Sequence, residues 1–497
     1  MKRILDSVHG YIEIDNTYVE NIVDTEYFQR LRRVEQTSTR TLFPSARHDR
    51  FIHSLGVFHL GCKIVSHLRE DLQGEQIENL DGIFESYILA CLLHDVAHSP
   101  FSHTLEEFYE NQWSDLRGVL KQVVANPEFS EDWDNVSDPS AQHERMSAIV
   151  AVGKFGDFIR NREADPVLVA RMIIGLGFRD RVNHSFENAM IELIHGDVID
   201  ADGLDYVCRD AWASGYSTTS VDVERLISSI KIVRDQNNEN YYRLCFTSKS
   251  LNEIESVLKV KTFQQYYVIH HHTVTYEQRL LVKALESAAC FHVFGERNVG
   301  DSNRRKEALQ RLCQVKCFYS QDGNNWIETD HTHIRIQLPM DDDFVSLMKP
   351  VRDDKYVSQW LSRRFLLKPL WKSKAEFYKR FGNLRDVKLT ENSWIFHNDC
   401  REFINQRTGI PLEDIWIEKA TPKYKGKFAD KVWIYVNGEP TQYSKLFLKD
   451  ISSFEPLQNE FFFIYIPRDA DIQRVLDDLE NEYSKYLPLE HKSKNII

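Results

Sequence analysis

The run LLHDVAHSPFSH, from Leu92 to His103, constrains the fold of this chain most. It continues a strongly apolar segment, and its periodicity predicts one long helix from about Asp81 to Ala97. Asp95, near the end of such a helix, is costly to bury unless it is paired or coordinates a cation. His94 and His98 are four residues apart, so a continuous helix would place them on one face. The run therefore predicts a buried polar site at the end of an apolar helix.

Two further segments carry side chains of the same kind. RFIHSLG contains His53, and DADGLDYVCRD contains Asp202. Two neutral imidazoles and two carboxylates satisfy a metal ion, and they leave coordination positions open for water and a phosphate oxygen. The sequence thus predicts one centre for a divalent or trivalent metal (Mg, Mn, Fe or Zn) among the side chains of these three segments.

Periodicity changes along the chain. The opening RILDSVHGYIEID alternates around His9-Gly10 and predicts a β-hairpin. Helical periodicity then dominates to about residue 330, including Val221–Val233, whereas the acidic residues 127–142 predict a surface loop. Beyond 330, THIRIQL, KVWIYV and FFFIYI are strand-like runs between helical segments. We expect a mainly α helical core, residues 1–330, and a smaller mixed α+β C-terminal region, residues 331–497.

Charge and cysteine content narrow the class of protein. The formal net charge of -13 argues against nucleic acid as the primary partner. The eight cysteines include no CxxC pair, which favours reduced, mostly buried thiols. The N-terminus lacks the apolar core of a signal peptide, and the longest apolar stretch, Tyr87 to Leu93, is too short to span a membrane. We expect a cytoplasmic protein without a membrane partner.

The motifs resemble those of the HD-domain deoxynucleoside triphosphate triphosphohydrolases. DSVHGYI is similar to that family's D-P-V-H-G start, and LLHDVAHSPFSHTLE to its L-x-H-D-x-G-H-x-P-F-S-H-x-x-(D/E) segment. FQRLRRVEQTSTRTLFPSARHDRFIHSLGV, AQHERMS and DADGLDYVCRDAWASG resemble its other segments in the same order. The resemblance covers about residues 1–375. It implies an HD-domain helical core that hydrolyses deoxynucleoside triphosphates to deoxynucleoside and triphosphate.

The resemblance implies that His53, His94, Asp95 and Asp202 are the metal ligands. It also implies roles around the scissile bond. Contacts to the phosphates are implied for Arg50 and His98, and Lys261 is a further candidate for such a contact. His103, backed by Glu106, matches the residue that protonates the leaving 5′ oxygen, and His143 lies beside it. The catalytic set implied in this way is His98, His103, Glu106 and His143. These assignments suit phosphoryl transfer, which needs charge neutralisation and positioning more than covalent chemistry.

Around the sugar, the resemblance implies contacts from Gln36, Tyr206 and Asp210, with the Tyr206 ring excluding a 2′-hydroxyl. Two positions depart from the family pattern. Gly203 stands where the family has Lys or Arg, and Thr37-Ser38 replaces the Leu-Gly that follows the family's Gln. The first departure removes a phosphate-contacting cation. The basic residues proposed to compensate are Arg40, Arg47 and Arg209.

Three hypotheses remain open. The leading one is a triphosphohydrolase of deoxynucleoside triphosphates. The second is an HD phosphohydrolase for another nucleotide or phosphoester, which Gly203 could permit. The third is a catalytically silent nucleotide sensor, which the complete set of predicted ligands disfavours. The resemblance also leads us to expect a nucleotide as substrate and a homo-oligomeric assembly.

Overall fold

The computed structural model describes residues 1–110, 113–136, 140–196, 199–216, 221–235, 238–381, 393–420, 431–446 and 461–483. The chain opens with the predicted hairpin, whose strands are β1 (Lys2–Asp6) and β2 (Gly10–Ile14). They pair antiparallel with Ile4 opposite Ile12. Gly10 has a φ of 74° at the end of the turn, a conformation that glycine adopts without a steric penalty.

Helices make up most of the fold. Among the described residues, those of eight residues or more are α1 (Arg50–Asp71), α2 (Leu80–Leu93), α3 (Trp113–Val124), α4 (Pro127–Asp134), α5 (Gln142–Asn161), α6 (Pro166–Ile174), α7 (Ser185–Glu192), α8 (Ala201–Ser214), α9 (Leu251–Gln264), α10 (His272–Phe294), α11 (Ser302–Leu312), α12 (Asp341–Met348), α13 (Lys355–Ser362), α14 (Lys374–Phe381), α15 (Ser393–Thr408) and α16 (Ile472–Tyr483). Helix α1 packs against α2 and α8, and α6 packs against α2 and α5.

The central helices α1 and α2 are apolar on most sides, which is typical of helices enclosed by others. Leu55, Leu60 and Leu68 of α1 are buried, as are Leu89 and Leu92 of α2. Helix α1 begins where the Asp49 carboxylate accepts a hydrogen bond from the backbone N–H of Ile52, an N-cap. Polar side chains that project inward from these helices must therefore find partners within the protein.

The remaining strands are β3 (Ile230–Asp235), β4 (Asn238–Thr247), β5 (Ile327–Glu328), β6 (Arg335–Ile336), β7 (Leu367–Pro369), β8 (Trp416–Lys419), β9 (Trp433–Val436), β10 (Glu439–Gln442) and β11 (Phe462–Pro467). One sheet has the order β10-β9-β4-β3, with β4 and β9 parallel, and another has the order β7-β11-β8. The predicted fold class, a mainly α core with a smaller mixed α+β region, is confirmed.

The backbone divides into two compact units. The first comprises Met1–Gln264, Leu285–Val351 and Lys425–Glu455, and the second comprises Gln265–Ala284, Arg352–Tyr424 and Pro456–Ile497. These units interleave along the chain. The division into contiguous domains at 1–330 and 331–497 stays a prediction. None of the helices in the described ranges combines the length and apolarity that a membrane crossing needs.

Three of the predicted element assignments differ from the structure, and the first two concern residues 127–142 and Val221–Val233. Residues 127–142 do not form only a loop, because Asn126 accepts a hydrogen bond from the backbone of Phe129 and caps α4. Residues 137–139 of that segment lie outside the described ranges. Within Val221–Val233, the helix ends at Ile227 and β3 follows, because alternate residues such as Ile230 and Ile232 are buried against the sheet.

The predicted helix Asp81–Ala97 ends earlier, at Leu93. From there the backbone makes tight turns, in which the N–H of Val96 donates to Leu93 and the N–H of His98 donates to Asp95. His94 and His98 consequently do not share one helix face, and their rings belong to two different groups of side chains.

Candidate metal centre

Four predicted ligands come together in the first unit, from three helix ends. His53 lies in the first turn of α1, His94 and Asp95 follow α2, and Asp202 lies in the first turn of α8. The Nε2 atoms of His53 and His94 are 3.3 Å apart, and an Asp202 oxygen lies 2.9 Å from the first and 3.7 Å from the second. An Asp95 oxygen lies 3.7 and 3.5 Å from the same two atoms.

These separations suit a common metal ion. Ligand atoms that share an ion at about 2.0–2.2 Å are themselves roughly 3–3.5 Å apart. The other ring nitrogens are also arranged for metal binding, since His53 Nδ1 contacts Asp205 at 2.7 Å and His94 Nδ1 contacts the Cys91 carbonyl at 3.0 Å. Donation through Nδ1 leaves the Nε2 lone pairs pointing into the centre. The ligand atoms of His53, His94 and Asp202 all lie within 4.8 Å of one another and fit a divalent or trivalent cation. Asp95 is outside that group, because its Oδ2 is held by Arg50.

Arg50 neutralises the deepest carboxylate of the centre. Its Nη1 donates to Asp95 at 2.6 Å, and its other nitrogens donate to Ser102 Oγ and to the Gln36 carbonyl. Burial alone would raise the pKa of Asp95, but Arg50 and His94 hold that pKa well below its usual range. Much of the hydrogen-bonding capacity of Arg50 is thus used inside the protein, and its phosphate contact stays a prediction.

The predicted catalytic residues form a second group. The ligand-type atoms of His98, His103, Glu106 and His143 all lie within 4.8 Å of one another. Glu106 accepts from His143 Nδ1 at 2.5 Å and lies 3.1 Å from His103 Nδ1. The rings of His98 and His143 stack with centroids 4.3 Å apart. This arrangement can exchange protons, and its atoms are also close enough to hold a cation.

The members of this group differ in exposure and charge. His98 is fully buried, and its Nε2 has no hydrogen-bond partner in the described part of the chain. Its burial, followed by the charge of Arg50, lowers its pKa well below the usual value. Burial likewise opposes protonation of His143, but the Glu106 carboxylate outweighs it and raises the pKa of His143 to about 9. The side chain of His103 is 61% exposed and can meet a ligand directly.

Three residues expected near the sugar are also in the first unit. Gln36 is buried, and its side-chain Oε1 has no partner among the described residues. Tyr206 packs beside Val207 and Ala211 on α8. Asp210 is 2.7 Å from His48 Nε2, so it is paired within the protein.

Lys261 fills the space left by Gly203. A Cβ atom at position 203 would lie 2.7 Å from Lys261 Nζ and 2.7 Å from Asp200 Oδ1. The same ammonium lies 5.4 Å from the centroid of the Tyr206 ring, a cation–π distance. Burial would lower the pKa of Lys261, but Tyr206 and Asp200 raise it, so the side chain stays charged. A cation is therefore present beside Gly203 and Asp200, although residue 203 itself does not carry one.

Two of the basic residues proposed to compensate for Gly203 have other partners. Arg209 donates to Asp6 and Asp205, and Arg40 pairs with Glu35 at 2.6 Å. Arg47 is exposed, and its role stays a prediction. Lys261 was predicted as a phosphate contact, but its position against Gly203 was not foreseen, because α8 and α9 are far apart in the sequence.

Sequence reasoning missed residues that hold the centre in place. Asp205 and Arg209 belong to the quoted DADGLDYVCRD segment, and their spacing of four residues on a helix was the available signal. Asp6 and His9 of the hairpin reach them across the fold. Arg30 donates to the carbonyls of Val96 and His98 and supports the backbone that carries the metal-centre turn.

Imidazoles and carboxylates gather at the ends of apolar helices here, with a His-Asp pair at the end of one of them. Residues 50–132, which contain His53, His94 and Asp95, match the HD domain family.

Two relatives illustrate the similarity. An uncharacterized protein of Bacillus subtilis, YwfO, is 27% identical over 290 residues, covering 58% of this chain and 56% of that protein. The Dictyostelium discoideum homolog of deoxynucleoside triphosphate triphosphohydrolase SAMHD1 is 29% identical over 278 residues, covering 55% of this chain and 46% of that protein. The matched region thus spans about half the length of these relatives.

A solved structure extends the likeness of the fold to nearly the whole chain. A phosphohydrolase from Bacteroides thetaiotaomicron superposes with a TM-score of 0.62 at 20% sequence identity. The superposition covers 94% of this chain and 100% of that one. At this level of identity the two proteins share a fold.

Proposed function

We propose that this protein is a metal-dependent phosphohydrolase that converts deoxynucleoside triphosphates to deoxynucleoside and triphosphate. The gathering of His53, His94 and Asp202, with an Asp95 oxygen 3.5–3.7 Å from the two histidines, carries the proposal. The name of the Dictyostelium relative, a deoxynucleoside triphosphate triphosphohydrolase homolog, supports the choice of substrate.

The metal and the charged residues around it have separate tasks in this proposal. A bound ion supplies Lewis acidity, which polarises a phosphoryl oxygen and activates water. Lys261 supplies a fixed positive charge beside Gly203 and Asp200 for the phosphate chain. Arg50 keeps Asp95 ionised and oriented, which lets that carboxylate serve as a ligand. Fixed charges of this kind stabilise the charge that spreads over phosphoryl oxygens in the transition state.

His103 is the proposed proton donor to the leaving 5′ oxygen. Its exposed ring lies 3.1 Å from Glu106 through Nδ1, which leaves Nε2 available to a ligand. Glu106 also stabilises the protonated form of His143, so His143 keeps its proton at neutral pH. A positioned acid of this kind contributes about 10²–10⁴-fold to the rate.

Tyr206 is the proposed determinant of sugar specificity. It follows Asp202 by four residues on α8, so the two side chains project from the same side of that helix. A ring there would press against the sugar and leave a 2′-hydroxyl without space or water. Gln36, whose buried Oε1 is unpartnered within the described chain, is available to a polar group of the nucleotide.

The proposal is tested by metal analysis of the purified protein together with a product panel of dNTPs, rNTPs, deoxynucleoside monophosphates and a generic phosphodiester. We expect bound metal and release of intact triphosphate from dNTPs. Asp95→Ala should lose both metal and turnover, because a whole anionic ligand is removed. Equal turnover of rNTPs would reject the role of Tyr206, and hydrolysis of another phosphoester alone would reject the substrate.

The same panel separates the roles of the two groups of side chains. His103→Ala should keep its metal and lose about 10²–10⁴-fold in turnover. His333, an exposed histidine 3.0 Å from Glu328, offers the matched control, and His333→Ala should change neither quantity. Loss of metal in His103→Ala would make His103 a ligand instead of an acid. A homo-oligomeric state and a cytoplasmic location stay predictions.

A further inference from the structure

The N-terminal hairpin reaches the metal centre through its turn. His9 Nε2 lies 2.7 Å from Asp205 Oδ1, although 196 residues separate the two in the sequence. The side chains are 8% and 0% exposed, so this contact is shielded from water. Asp6 fixes the turn itself, because its carboxylate accepts a hydrogen bond of 3.0 Å from the backbone N–H of His9.

Asp205 connects this turn to a metal-site histidine. Its second oxygen, Oδ2, lies 2.7 Å from His53 Nδ1. Arg209 donates to both oxygens of Asp205 at 2.8 Å and to both oxygens of Asp6 at 2.9 and 3.0 Å. One guanidinium therefore holds two buried carboxylates, one from the hairpin and one from α8.

The fold leaves room for this network at one position of α1. A Cβ atom on Gly56 would lie 1.9 Å from Asp205 Oδ1 and 2.5 Å from Arg209 Nη2. Only glycine at that position allows both polar groups to approach α1. The arrangement joins three sequence segments, DSVHG, HSLG and DYVCR, into one contact.

We propose that the N-terminal hairpin, residues 1–14, positions the metal ligand His53, with Asp205 and His9 as the positioning residues. This inference rests on the proposed function, in which His53 binds the ion. Asp205 accepts the Nδ1 proton of His53 and thereby directs the Nε2 lone pair at the metal. His9 and Arg209 hold Asp205 in the orientation that this requires. Such outer contacts typically change metal affinity by about 10–100-fold.

The test measures the affinity of the metal-free full-length chain for Co²⁺, and the visible absorption of the bound ion, without any substrate. Asp205→Asn should weaken Co²⁺ binding by about 10–100-fold and alter the absorption spectrum, because the amide cannot replace both acceptor contacts. His9→Ala, farther from the ion, should weaken binding in the same direction. His9→Gln should recover part of the loss, because its amide can still donate to Asp205.

Arg3 and Glu13 provide the matched control. They form an exposed ion pair of 2.7 Å on the same hairpin, and Arg3→Ala should leave Co²⁺ affinity unchanged. A purely structural network predicts a different result, in which Asp205→Asn and His9→Ala lower thermal stability but bind Co²⁺ as tightly as the unmodified chain. That result would overturn the positioning role alone. An unmodified chain that binds no metal would overturn the proposed centre and this inference together.

Discussion

At the residue scale, Lys261 and Gly203 decide how charge is distributed beside the metal centre. The ammonium occupies space that any side chain at 203 would enter, with 2.7 Å between Nζ and the position of a Cβ atom. Introducing a lysine at 203 would therefore displace the resident cation before it could add another. The positive charge beside Gly203 depends on α9, although Gly203 itself belongs to α8.

Lys261→Ala should raise the KM for dNTPs with a smaller effect on metal content. A charge-assisted contact contributes about 1.5–3 kcal/mol, which corresponds to roughly 10- to 100-fold in affinity. Lys259, exposed on the same helix 3.6 Å from Glu255, provides the control, and Lys259→Ala should leave the KM unchanged. An unaltered KM in Lys261→Ala would show that the phosphates are bound by other residues.

The Glu106–His143 pair should make stability depend on pH. The pKa of His143 is raised to about 9 by Glu106, above its ordinary value near 6.5. The pair therefore contributes stability that is fully present below about pH 6.5 and is lost as pH rises through 9. Glu106→Gln should be less stable than the unmodified protein at pH 6, and the difference should shrink toward pH 10. Urea unfolding of the metal-free proteins measures it, and a difference independent of pH would contradict the assignment.

The sequence indicated the four candidate ligands because their residue types and flanking motifs are local features. It did not indicate Asp205, His9 or Asp6 as supporting residues, because their partners lie far along the chain. The His53–Asp205 contact joins residues 152 positions apart, and the Arg209–Asp6 contact joins residues 203 apart. Periodicity within one helix contains no information about such pairs.

At the scale of elements, the early end of α2 separates His94 from His98. Apolar periodicity continues past Leu93, so the sequence alone favoured a longer helix. The backbone after Leu93 instead forms tight turns, and Arg30 donates to the carbonyls of Val96 and His98 within those turns. These long-range hydrogen bonds stabilise the turns, and local helix propensity contains no information about them.

Arg30→Met should destabilise the protein by about 2–4 kcal/mol, because several buried carbonyls would lose a charged donor. Those carbonyls include Pro339, which accepts from Arg30 at 2.8 Å. Arg33→Met serves as the control, since Arg33 only pairs with exposed Asp342 and such surface pairs contribute about 0–1 kcal/mol. Chemical denaturation compares the two variants, and equal losses would contradict the role of Arg30.

At the scale of the whole molecule, late segments of the chain complete early ones. β9 pairs in parallel with β4, so residues 433–436 extend a sheet that begins at residue 230. Asp341 accepts the backbone N–H groups of Phe101 and Glu35, which flank the candidate site. The presence of helices and strands was predictable from periodicity. These pairings were not, because they join parts of the chain that are distant in sequence.

A fragment of residues 1–330 tests the contiguous domain expected from the sequence. We expect it to unfold at lower urea concentration than the full chain and to bind metal more weakly, because it lacks both β9 and Asp341. Circular dichroism during denaturation and Co²⁺ titration measure the two quantities. A fragment that unfolds cooperatively with full-length stability and metal affinity would show that residues 1–330 form an independent domain.

The cation beside residue 203 comes from Lys261 of α9 and not from α8, and this has a consequence for protein engineering. Charge beside the candidate metal centre can be changed by substituting Lys261 alone, while Asp202 and its helix remain as they are. A substitution at position 261 would therefore change which substrate charges the site prefers, while the predicted metal ligands stay the same. Neutral residues at that single position would leave the phosphate-binding side of the centre less positive, which suits phosphoesters that carry less negative charge.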